Sequence, residues 1–227
     1  MAVQFIKKNY VKYNHGKGYL CCHVEALHAT PPSADLYTDL LVKSLIQKTG
    51  CAGIISTVSR TVIDLNRSPT MDNLAAVTEY RKSIQEIVTH LGIYEEETNR
   101  LTVPYLHLSF HGMKDSHYGP LAIEVGTLRG KSCSEDVKNW FTEMLTENIQ
   151  SILPHATVIF DNKFIGDKSI HLHRVGDGEE YNGYKENFHS FQIELSRTLR
   201  KKHRSKINQV FSNLINEFQS KFVVDLK

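Results

Sequence analysis

The feature that most constrains this chain is the alternation of short apolar runs with amphipathic stretches of crossover length. Residues 19–27, YLCCHVEAL, read as a central strand. HATPPS breaks it, and Ser33 offers an N-cap for a helix through residues 35–50. Leu36, Leu40, Leu41, Leu45 and Ile46 share one face of that helix, and Gly50 ends it. Residues 53–58 are a second strand, and Asp72 or Asn73 opens a long helix that stops at Gly92. Strands follow at 103–110 and 121–125, and Ser134 caps a helix to about Ile152. ATVIF at 156–160 is a strand. Residues 161–187 form a polar loop rich in glycine and histidine, with room for a hairpin. FHSFQIEL at 188–195 is the last strand, before a C-terminal helix. This alternation predicts an α/β fold. Residues 1–227 are expected to form a single three-layer domain, with a central mixed, mostly parallel sheet flanked by helices.

Such sheets bind ligands outside the carboxyl ends of their strands. The loops that carry chemistry there are therefore the informative ones. They bring His28 after the first strand, Arg60 to Arg67 after the second, His111 after the third and Glu194 at the end of the last. Histidine is plentiful, with 12 copies, and it is both a common metal ligand and an acid-base group. The 27 basic and 25 acidic residues nearly balance, which argues against nucleic acid or an anionic membrane as partner. The one basic run, Arg200 to Arg204, reads as a solvated helix face. No export signal or membrane span is visible, and the four cysteines make no CxxC pair. Reduced, buried thiols in a cytoplasmic protein are expected.

His28, with Asp35 seven residues on near a helix start, could share a metal. His23 and Glu25, on one face of the strand itself, are rival ligands or a buried polar pair. His111 precedes a glycine, which lets the chain turn and leaves room for a ligand. Asp115 and His117 are possible supporting partners. Glu194 shares its strand face with Gln192 and is a candidate general base. Arg60 and Arg67 present planar forks that suit carboxylates, and Asp64 could hold one of them in place.

The order of these residues resembles the N-formylglutamate amidohydrolase family, whose members look like distant relatives of zinc carboxypeptidases and aspartoacylases. The resemblance runs over about residues 20–200. It rests on His28, Ala34-Asp35, Ser59-Arg60, the Asp64-Leu65-Asn66-Arg67 run, His111-Gly112 and Gln192-Ile193-Glu194. The family usually places a proline before the first histidine and a glycine soon after. Here the text is Ala26-Leu27-His28-Ala29, so His23 and Glu25 stay open as ligands.

The resemblance implies a zinc-carboxypeptidase-like, phosphorylase-hydrolase-like fold and zinc-dependent hydrolysis of an amide. His28, Asp35 and His111 would hold the zinc, and Glu194 would serve as general base. Arg67 with Asn66 would grip the carboxylate of a small-molecule substrate. Arg60 would stabilise the oxyanion or bind a second carboxylate. A carboxypeptidase-like peptidase and a non-catalytic binder of an acidic ligand are the alternatives. The oligomeric state is not legible in one chain.

Overall fold

The computed structural model describes residues 3–223; residues 1–2 and 224–227 of the expected domain span lie outside them. The strands are β1 (Ile6–Lys7), β2 (Val11–Asn14), β3 (Cys22–Ala26), β4 (Ala52–Ser56), β5 (Tyr94–Glu95), β6 (Arg100–Leu101), β7 (Tyr105–Met113), β8 (Ala122–Gly126), β9 (Thr157–Phe160) and β10 (Phe188–Ser196). The helices are α1 (Thr38–Thr49), α2 (Leu74–His90), α3 (Glu135–Ile152), α4 (Lys168–Val175), α5 (Arg197–Lys202) and α6 (Arg204–Phe222).

Eight strands form one mixed sheet in the order β1-β2-β4-β3-β7-β10-β8-β9, and β5 and β6 pair separately. β4, β3, β7 and β10 run parallel, so their carboxyl ends share one edge. β8 is antiparallel to β10, and β9 is parallel to β8. The expected α/β architecture is therefore present.

The two faces of the central strands differ in chemistry. Val24, Leu108, Phe110, Phe191 and Ile193 alternate onto one face, all fully buried. That face packs against α1, and meets α3 and α6 through aromatic contacts: Phe141 stacks on Phe191 at 4.0 Å, and Phe211 meets Phe110 edge-on at 4.9 Å. The opposite face is polar along its length and lies under α2 and α4.

Several local expectations need correction. The N-terminal residues supply β1 and β2, an antiparallel edge that short segments of mixed polarity did not announce. Ser33 does not cap α1, which begins five residues later after Tyr37. Leu36 and Leu40 are exposed, and only Leu41, Leu45 and Ile46 of the expected face are buried. The stretch read as a loop with a hairpin holds α4, whose N-cap Asp167 accepts from the Ser169 N–H. Arg200 is buried rather than solvated. Ser134 does cap α3, and Gly50, at φ 83°, ends α1. All four cysteines are free and buried, and no helix among the described residues is long and apolar enough to cross a membrane.

Candidate active site

Register explains how distant residues meet. In the parallel ladder His23 lies beside His107, and Glu25 beside Ser109. His107, Ser109 and His111 lie beside Ser190, Gln192 and Glu194. Paired residues point to the same side, so these eight form one polar face across β3, β7 and β10. Its outer end opens into a cleft of about 290 Å³ at the carboxyl edge of the sheet. His28, Asp35, Arg60, Asn66, Arg67, His111 and Glu194 all line that cleft.

His28 follows β3, and the Asp35 N–H donates to the His28 carbonyl at 2.7 Å, folding the intervening loop back on itself. Three side-chain atoms then converge. His28 Nδ1 and His111 Nδ1 are 3.1 Å apart, and Asp35 Oδ2 lies 3.6 and 3.5 Å from them. Ligand atoms bound to one tetrahedral zinc at about 2.0–2.2 Å are about 3.3–3.6 Å from each other. The donor set and its spacing therefore fit a divalent ion. The outer ring nitrogens are anchored as such a site requires: His28 Nε2 donates to Asp64 Oδ1 at 2.7 Å, and His111 Nε2 meets Ser109 Oγ at 3.0 Å. Burial disfavours charge on Asp35, but hydrogen bonds from His111 and His28 and the charge of Arg60 outweigh it, holding the carboxyl well below its usual range. Burial also opposes charge on His28, yet Asp35 and Asp64 raise its pKa.

The rival set, His23, Glu25 and His107, is gathered deeper on the same face. His107 Nε2 is 3.0 Å and His23 Nε2 3.7 Å from the Glu25 carboxylate. Here the two rings stack with only 11° between their planes, whereas the His28 and His111 rings stand at 74°. Parallel rings aim their lone pairs side by side, which suits a shared ion less well than the crossed rings of His28 and His111. Tyr80 Oη donates to Glu25 at 2.7 Å, and Tyr105 Oη and Ser190 Oγ meet the outer nitrogens of His23 and His107. On the inner side His23 Nε2, His107 Nε2 and Glu25 Oε1 have no hydrogen-bond partner among the described residues, so this network is only partly satisfied and the trio stays an alternative ligand set.

Three fully or largely buried histidines make an acid-sensitive core. Burial and the neighbouring His107 push His23 down to about 4, and burial with Arg174 pushes His189 down to about 3. Burial holds His173 well below its usual value. The unfolded chain takes up these protons near pH 6.5 and the folded chain refuses them, so stability falls as pH drops below that point. Tm is expected to fall by roughly 5–10 °C between pH 7 and pH 5. A Tm that is flat over that interval in a thermal melt would contradict the neutral burial of these rings.

Glu194 sits at the end of β10, beside His111 in register, and is 6% exposed. Gln192 Nε2 donates to its Oε1 at 3.1 Å. Burial raises its pKa, with His111 opposing and Asp35 adding. Asn66 is buried; its Nδ2 lies 3.4 Å from Gln192 Oε1, and Ser169 Oγ donates to its Oδ1 at 2.9 Å. Arg60 Nη2 pairs with Asp35 at 2.5 Å, while its buried Nε–H has no partner among the described residues. Arg67 is half exposed and pairs with Asp167 at 2.5 Å.

The structure also reassigns some supporting roles. Asp64 meets Arg67 only at 3.5 Å, and its closer partner is His28. Asp115 accepts from Thr198 at the start of α5, and His117 meets Lys163, so neither supports His111. Asp167 went unnoticed in the sequence, although an aspartate after glycine just before an apolar periodic stretch is an N-cap signal. Arg200 also escaped notice. Its guanidinium donates to the carbonyls of Leu195, Leu36 and Met113 at 3.0, 2.6 and 3.2 Å, each next to or near Glu194, Asp35 and His111. Gly112 makes room for it, since a Cβ there would lie 2.4 Å from the guanidinium carbon.

No protein-family model matches this chain, and no curated protein does. Solved structures do. An N-formylglutamate amidohydrolase from Ralstonia eutropha JMP134 superposes with a TM-score of 0.62 at 15% identity, covering 93% of this chain and 97% of the other. A gene product from Agrobacterium tumefaciens gives 0.57 at 14% identity, covering 93% and 94%. A bacteriophage poly-gamma-glutamate hydrolase gives 0.50 at 11% identity, covering 96% and 93%. At these identities the likeness is one of architecture: the chain has the fold of the N-formylglutamate amidohydrolase structure over nearly its whole length.

Proposed function

We propose that this chain, acting as one domain, is a metal-dependent hydrolase. It cleaves the amide bond of a small carboxylate-bearing substrate, an N-formyl or N-acyl amino acid. The observation that carries the reading is the convergence of His28, Asp35 and His111 at the mouth of the cleft, with Glu194 on the adjoining strand. The shared fold with a structure named N-formylglutamate amidohydrolase supports it. The four buried free thiols fit a reduced, cytoplasmic setting.

His28, Asp35 and His111 would hold zinc. Bound there, zinc supplies Lewis acidity that makes hydroxide available at neutral pH. Asp64 fixes the His28 ring through its 2.7 Å hydrogen bond. Glu194 takes the proton of the attacking water and passes it to the leaving amine, and its raised pKa brings it nearer the working pH. Arg60 lines the cleft, and its guanidinium would meet the developing oxyanion. Arg67, backed by Asn66, receives the substrate carboxylate in exchange for Asp167.

Two measurements test this. Chelation should abolish hydrolysis of N-formyl- and N-acyl-glutamates, and zinc should restore it with one equivalent bound at this site. Reconstituted protein with bound zinc and no amide hydrolysis would sink the enzymatic reading. Asp167→Asn keeps a helix cap but removes the charge that competes for Arg67. KM for a carboxylate substrate should therefore fall severalfold with kcat little changed, and an unchanged or higher KM would remove Arg67 from substrate binding.

A further inference from the structure

A second cavity of about 830 Å³ lies between the start of α2 and α4, beside the cleft. The two share a wall made of consecutive residues. Arg67 and Asp167 line the cleft, while Ser68 and Lys168 line the groove. The 2.5 Å ion pair between Arg67 and Asp167 spans that wall. Arg67 is 55% exposed there, and an exposed pair of this kind exchanges partners at little cost. The same exchange is what a substrate carboxylate arriving at Arg67 requires.

The groove is lined by apolar surface. Pro69, Met71, Leu74, Leu172 and the Tyr181 ring face it. Met71 is 96% exposed and Leu74 52%, so large apolar side chains stand in solvent along the groove. Its far side is closed by Arg81, which pairs with Asp177 at 2.5 Å and lies 4.0 Å over the Tyr181 ring. That pair is satisfied, while Lys82, Lys168, Glu179 and Glu180 also line the groove. The groove therefore offers an incoming chain apolar contact along Pro69, Met71, Leu74 and Leu172, with Lys82 and Lys168 among its polar neighbours.

We propose that the groove is the acyl subsite of the same active site, and that it takes the apolar chain of an N-acyl amino acid longer than formyl. The inference rests on the hydrolase reading and names its substrate class. A formyl group adds one carbon and needs nothing beyond the cleft. In a trans amide the acyl chain leaves on the side away from the amino acid, so only a chain of several methylenes can turn back past the Arg67–Asp167 pair and lie against Met71 and Leu74.

The test is a series of N-formyl-, N-acetyl-, N-butanoyl- and N-octanoyl-glutamate with the zinc-loaded protein. A fully buried methylene is worth about fourfold, and an open groove that buries half of it about twofold. kcat/KM should rise along the series by at least about tenfold overall, and Leu74→Asp should flatten the rise. A flat or falling series in the wild-type protein, or a slope retained in Leu74→Asp, would overturn the proposal. If no member is hydrolysed, the hydrolase reading fails on its own account, and calorimetric binding of the same series decides the groove. Affinity that grows with chain length sustains the subsite, and affinity independent of length overturns it.

Discussion

Glu194→Gln is expected to lose about 10²–10⁴ in kcat while keeping its metal and its fold. The amide has the shape of the carboxyl and can still accept from Gln192 Nε2, which now reaches Glu194 at 3.1 Å. It cannot take a proton from water. The stability side of the prediction is equally sharp. Burial raises the pKa of Glu194, so its folded value lies above its unfolded one. Such a carboxyl costs stability at every pH above its unfolded value, because the fold resists the charge. The neutral amide removes that cost, so Tm at neutral pH should hold or rise. Lost turnover with unchanged zinc content and an equal or higher Tm is the signature of a strained functional group. Activity within tenfold of wild type would place the base elsewhere.

Arg200→Met should have the largest effect on stability, about 3–5 kcal/mol, or a fall in Tm on the order of 10 °C. The side chain is of similar length, but three carbonyls lose a charged donor in a buried place. The carbonyls belong to the segments that carry Asp35, His111 and Glu194, so zinc affinity should weaken as well. Gly112→Ala presses on the same guanidinium and should move both quantities in the same direction. A matched loss of stability from Phe141→Leu, packed on the other face of the sheet, should leave zinc affinity intact. If the two variants weaken zinc equally, Arg200 acts on the fold alone.

The repeating pattern of strands and helices was legible because each element carries its own period and punctuation. Gly50 and Ser134 stand where a stop and a cap are needed, and the apolar alternation of β10 shows in FQIEL. The residues that gather at the cleft were visible as chemistry placed after strands. What could not be read was pairing between side chains far apart in sequence. Nothing near Asp64 says that it holds His28 rather than an arginine, because that choice depends on a loop 36 residues away. Arg200 sits in a basic run that any local reading assigns to solvent, and only the approach of Gly112, Leu36 and Leu195 buries it. The distinction between the two histidine clusters was out of reach for the same reason, since it depends on ring planes rather than residue types.

The position of β10 has a consequence for how the molecule is made. It is the last strand among the described residues, yet it lies in the middle of the sheet, between β7 and β8. A ribosome-bound chain that has emerged only as far as α4 therefore has two open strand edges facing a gap. Open edges are templates for pairing with other chains. Glu194, the base proposed above, arrives with the strand that fills the gap, so completion of the candidate site and protection from aggregation should be acquired in one late step of synthesis.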